Sequence, residues 1–307
     1  MTHEAKSREK RTVALVSVLA AVGLTAFKLT VGLLTNSLGI LAEAAHSGLD
    51  LVAAAMTFFA VRVSDKPADT DHQYGHGKIE NLSALFETLL LLATSGWIIY
   101  EAIDRLFFNP ASVEASPWAF VVMGTSIVID INRSRMLSRA AKKYNSQALE
   151  ADALHFSTDI WSSGVVILGL IGISLSKFIP GLDWMHAADS IAALVVALIV
   201  IYISAELGWR TIAALLDAAP RGMAEKIETA ASGVNGVVNA HAIRIRPSGP
   251  VWFIDLHINM DGDTTLNAAH AATEVIEKMV QSVIPGADVT VHVEPADPAS
   301  GKKTKRK

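Results

Sequence analysis

"LAEAAHSGLDLVAAAM", residues 41–56, sets His46 and Asp50 four residues apart inside a largely apolar run. On a helix that spacing puts both side chains on one face, one turn apart. An ionisable group is expensive in such a setting, so the pair needs a partner or a task. The stretch reads as part of a membrane-spanning helix that carries chemistry on its inner face.

The rest of the chain agrees. Of 307 residues, 51% are hydrophobic and only 18% charged, and mean hydropathy is +0.38. That is too apolar for an ordinary soluble domain. A bilayer core takes roughly 20 apolar residues per helix, and six stretches qualify: about 12–34, 38–63, 81–107, 117–138, 149–177 and 186–211. The first is too long for a removable signal peptide and lacks its cleavage pattern. Beyond about residue 212 the apolar runs shorten, as in a soluble domain. The expected organisation is an N-terminal segment at 1–11, a six-helix transmembrane domain at 12–211, a soluble domain at 212–296 and the basic tail 297–307 ending in "GKKTKRK".

Loop charges predict the orientation. Lys6, Arg8, Lys10 and Arg11 precede the first span; Arg62, Lys66 and Lys78 follow the second. Arg133, Arg135, Arg139, Lys142 and Lys143 follow the fourth. The intervening loops hold only Arg105 and Lys177. The positive-inside bias then puts both termini and the soluble domain in the cytoplasm. A net charge of −4 gives no reason to expect nucleic-acid binding. With no cysteine, a metal site must use His, Asp, Glu or carbonyl ligands.

The fifth span opens with an echo of the second. In "EADALHFSTDIWSSGVVILGLIG", residues 150–172, His155 and Asp159 repeat the i, i+4 pair. Two such helices brought together supply two neutral nitrogens and two carboxylates, a sensible tetrahedral shell whose charge neutralises Zn2+. A single pair could equally be a structural hydrogen bond, and the two pairs without metal could relay protons. After the second span, "SDKPADTDHQYGHGKIE" clusters Asp69, His72 and His76, with Gly75 and Gly77 expected to permit the turn. Asp65 and Asp71 are expected to be solvated.

The soluble region predicts the order α-β-β-α-β. Alternation in "VWFIDLHINMDG" turns Ile254, Leu256 and Ile258 to the core and His257 away. In "DVTVHVEP" Val289, Val291 and Val293 face the core, and His292 and Glu294 face away together. The order resembles a ferredoxin-like α+β fold. With His241 and His270 it offers a histidine-rich surface.

The motifs "SLGILAEAAHSGLDL", "DKPADTDHQYGHGKIE" and "ALEADALHFSTDIWSS" make the sequence resemble the cation diffusion facilitators, zinc-type metal–proton antiporters, over nearly its whole length. The resemblance implies six spans, a cytoplasmic αββαβ domain and no enzyme activity. It implies a transport site at His46, Asp50, His155 and Asp159, and a loop site at Asp69, His72 and His76. It implies a cytoplasmic site at His241, His257, His270, His292 and Glu294, with Zn2+ as substrate and as cytoplasmic-domain ligand. It also implies a homodimer held by a Lys78–Asp217 contact, protons as counter-ion and a bacterial inner membrane. Three positions depart from common family patterns: His46 where well-known bacterial members carry Asp, Glu294 where Asp is typical, and Glu43 where Asp is common. A membrane-tethered metal sensor or assembly factor with the same fold stays open. A metallohydrolase does not fit, since HExxH is absent.

Overall fold

The computed structural model describes residues 3–108, 116–176 and 185–296; the basic tail 297–307 and the loop carrying Lys177 lie outside them. The chain forms two compact units, residues 1–212 and 213–307.

Six long helices build the first unit: α1 (His3–Thr35), α2 (Leu38–Ser64), α3 (Lys78–Phe107), α4 (Pro117–Tyr144), α5 (Gln147–Ser176) and α6 (Met185–Leu215). Large apolar side chains such as Leu33, Trp97, Tyr202 and Trp209 stand on the outside, while fully buried Ala14, Ala53 and Ala54 line the helix contacts. This inverts the soluble pattern and suits a lipid environment, where small residues let helices approach. Between α1 and α2 the chain turns at Asn36 (φ 50°), and the Ser37 hydroxyl accepts from the Ile40 amide to cap α2. Gly32 is needed there: a Cβ would come within 2.8 Å of the Leu41 side chain.

Among the described residues, α1, α2, α3 and α6 are each long and apolar enough to cross a membrane. Helix α4 carries Asp130 and Arg133, and α5 carries Asp152 and His155. These four side chains are buried in the bundle, so average hydropathy understates how well each helix suits it. Arg133, counted among the loop charges although the run 117–138 already contains it, lies inside α4, which continues to Tyr144. Its guanidinium donates to Asp130 Oδ1 at 3.3 Å and to Ser17 Oγ of α1, and lies 3.4 Å from the Phe156 ring centroid.

Asp65 is another departure. Expected in water, its side chain is 6% exposed, with Lys10 Nζ at 2.5 Å and Ser7 Oγ donating at 2.5 Å. Lys10 also reaches Glu80 Oε1 at 3.1 Å. Glu80 accepts further hydrogen bonds from Ser64 and Ser146. This buried knot ties α1, α2 and α3 to the N-terminus of α5, and a carboxylate is tolerated there because donors surround it.

The second unit contains α7 (Met223–Ser232), β1 (Val237–Ser248), β2 (Val251–Met260), α8 (Leu266–Val283) and β3 (Asp288–Pro295). The three-stranded sheet has the order β1-β2-β3, antiparallel between β1 and β2 and parallel between β2 and β3. Ile254, Leu256 and Ile258 are fully buried with Ile227, Ile276 and Val280. Val289, Val291 and Val293 pack against that core, which leaves the alternate positions of β2 and β3 for polar chemistry.

Candidate metal centres

The two i, i+4 pairs meet in the bundle. His155 Nε2 lies 3.1 Å from Asp50 Oδ1 and 3.6 Å from Asp159 Oδ2. His46 Nε2 lies 3.9 Å from both Asp50 Oδ1 and Asp159 Oδ1. A tetrahedral zinc shell with bonds of about 2.0 Å has ligand–ligand edges of about 3.3 Å, so these spacings surround that value. Asp50, His155 and Asp159 form the tightest group, and His46 joins it through both carboxylates. The His46 side chain is 43% exposed and that of His155 only 3%, so the group opens past His46.

A second group lies in the loop before α3. Asp69 Oδ1 accepts from the backbone amides of His72 and Asp71, which folds the segment back. His72 Nδ1 then lies 3.5 Å from Asp69 Oδ1, and His76 Nε2 3.3 Å from Asp69 Oδ2. The backbone bond from His72, helped by that from Asp71 and by the two imidazoles, holds the Asp69 carboxyl below its ordinary range. Of the two glycines expected to permit this turn, only Gly75 adopts a positive φ, 73°; Gly77 is right-handed.

The third group is a rung across the sheet, where His241 pairs with His257 and His257 with His292. Glu294 gathers them: its oxygens lie 3.2 Å from His241 Nε2, 3.0 Å from His257 Nδ1 and 3.8 Å from His292 Nε2. The His257 hydrogen bond keeps the Glu294 carboxyl below its ordinary range, so it is ionised at neutral pH. The longer Glu side chain therefore reaches the histidines. His270 stands apart on α8, 3.6 Å from Glu274. Lys78 opens α3 and Asp217 takes a left-handed turn (φ 60°) after α6; they belong to different units.

Some groups escaped the sequence reading. Glu87 on α3 and Asp152 on α5 are fully buried acids; a carboxylate inside an apolar run was the available signal. Lys28 pairs with Glu43 at 3.2 Å. Asn132 donates to the Val128 carbonyl.

Residues 14–216 match the cation efflux transmembrane domain, and residues 219–296 match the cytoplasmic domain of cation efflux proteins. The cation-efflux pump FieF of Shewanella oneidensis is 32% identical over 280 residues, spanning 91% of this chain and 92% of its own. FieF of Cronobacter sakazakii is 31% identical over 285 residues, spanning 92% and 91%. A solved structure of CzrB in its Zn form covers 29% of this chain and 98% of its own at 25% identity. Its TM-score of 0.25 is too low to speak for the fold.

Proposed function

The chain belongs to the cation efflux family of membrane transporters, which are not enzymes, and from that premise we propose that it exports Zn2+ from the cytoplasm in exchange for protons, as a homodimer in a bacterial inner membrane. In this reading six helices span the bilayer over 12–211, both termini are cytoplasmic, and a ferredoxin-like domain occupies 212–296. The observation that carries the proposal is the convergence of His46, Asp50, His155 and Asp159 at 3.1–3.9 Å. Two imidazoles favour Zn2+ over hard cations such as Mg2+, while Cd2+, Co2+ and Fe2+ remain within reach of the same ligands.

Binding requires neutral imidazole and ionised carboxylate, so protons and Zn2+ compete for the same four groups. An imidazole nitrogen takes either a metal or a proton, which makes His46 and His155 the proton carriers of the site. Facing outward, the proton-motive force favours protonation and release of Zn2+. Facing the cytoplasm, the site loses protons and rebinds metal. Alternating access of the helix bundle changes the exposure. Lys78 and Asp217 hold the dimer at the membrane boundary.

The test is Zn2+ uptake into proteoliposomes containing a zinc dye, with and without an imposed pH gradient. Uptake stimulated by the gradient is expected. No flux with Zn2+ binding intact would put the metal-sensor reading first. Metal at the His241, His257, His292 and Glu294 group biases the transporter toward its active state by differential affinity. His257→Ala with His292→Ala is therefore expected to raise the Zn2+ concentration for half-maximal uptake without abolishing it; an unchanged concentration dependence would sink that role.

A further inference from the structure

Beyond the four-ligand group, a line of buried polar groups runs toward the Lys10–Glu80 knot. On α2, Asp50, Thr57 and Ser64 recur every seven residues, two helical turns or about 10 Å per step. On α3, Glu80, Ser83 and Glu87 follow one another at single-turn spacing, and all three are buried. The two helices are joined at matching levels: Thr57 donates to Glu87 Oε1, and Ser64 donates to Glu80. From α5, Asp152 lies one turn before His155 and is fully buried. Its Oδ2 accepts from Ser17.

Four groups along this line keep an atom with no hydrogen-bond partner among the described residues: His155 Nδ1, Asp152 Oδ1, Glu87 Oε2 and Ser83 Oγ. Leaving such atoms unpaired in a dry interior is costly, which asks for a role. From α2 Glu87 meets Thr57, and from α5 the charged group acting on it is Asp152. Asp152 in turn lies among the charges of Arg133, His155 and Asp50.

We propose that Glu87 is a proton carrier between the four-ligand group and the cytoplasmic end of the bundle, on a route separate from that of the metal. This rests on the antiport reading. A proton leaving the four-ligand group passes by Asp152 to the Glu87 carboxylate, making it the acid. It leaves by Ser83 and Glu80, which restores the carboxylate. Bridging water completes steps longer than one hydrogen bond. A metal ion does not follow, because carboxyl and hydroxyl groups met one at a time can pass a proton, whereas Zn2+ takes about four ligands at once.

Glu87→Gln keeps the acceptor for Thr57 and removes the titratable proton. In proteoliposomes, isotopic Zn2+/Zn2+ exchange at equal pH moves no net protons and is expected to stay near wild type. Gradient-driven uptake is expected to fall on the order of 100-fold, the lower end for loss of a positioned proton-transfer group, and Glu87→Asp is expected to restore part of it. Full driven uptake in Glu87→Gln would overturn the carrier role and leave antiport standing; parallel loss of exchange and driven uptake would also overturn it. Should Glu87→Gln fail to fold, Thr57→Val is the second variant, expected to slow driven uptake and spare exchange; unchanged driven uptake overturns the proposal. Wild type lacking gradient stimulation would instead remove the antiport reading, and the carrier role with it.

Discussion

Asp50→Ala is expected to reduce Zn2+ uptake into proteoliposomes to background, a loss of at least about 100-fold. Altering a group that merely supports a metal ligand typically costs about 10–100-fold in affinity or activity, and Asp50 is proposed as a ligand. The change removes one of two carboxylates from a group that must neutralise a divalent ion. It also strips His155 Nε2 of its closest partner, Asp50 Oδ1 at 3.1 Å. Asp50→Asn separates charge from shape, since it retains an oxygen acceptor and loses the negative charge; it too should fail. A wild-type elution profile and thermal midpoint in detergent should show that the helix bundle has folded in both variants. If Asp50→Ala and Asp159→Ala both transported at the wild-type rate, the four-ligand assignment would be lost.

The second large effect concerns stability. Lys10→Met keeps the length of the side chain but leaves Glu80, fully buried, and Asp65, 6% exposed, without their common cation. Breaking a buried ion pair from one side costs about 3–5 kcal/mol, because the remaining charge is neither solvated nor paired. Arg11, half-buried with its Nε 3.6 Å from Asp65 Oδ2, offsets only part of this, since that separation exceeds a hydrogen bond. For a unit of roughly 200 residues the thermal midpoint in detergent should fall by at least about 6 °C. Adding Glu80→Gln should recover some of the loss, since removing both partners leaves no bare charge. An unchanged midpoint for Lys10→Met would mean that the start of α1 is not docked in solution.

The same physics separates what was legible in the sequence from what was not. The places of the six long helices followed from apolar runs, although α1 starts well before its run and α4 continues beyond it. The two His–Asp pairs followed from i, i+4 spacing, and the core face of β2 from strict alternation. The turn at Gly75 and the histidines facing away from the soluble core could be read from a few neighbouring residues. The sequence also carried the family resemblance, because its motifs are local and specific.

Packing decided the rest. Nothing local tells that Lys10 meets Glu80, 70 residues away, or that Asp65 is buried and not solvated. Arg133 counts as a loop charge by sign alone; in the bundle it is buried and donates to Ser17, 116 residues distant. Glu87 and Asp152 escaped the sequence reading; their burial and unpaired oxygens exist only once α2, α3 and α5 are side by side. Spacing along one helix decided by itself which residues share a face. What those faces meet depends on burial of charge among helices far apart in the chain, where a carboxylate is stable only if distant donors arrive, and tertiary structure alone supplies them.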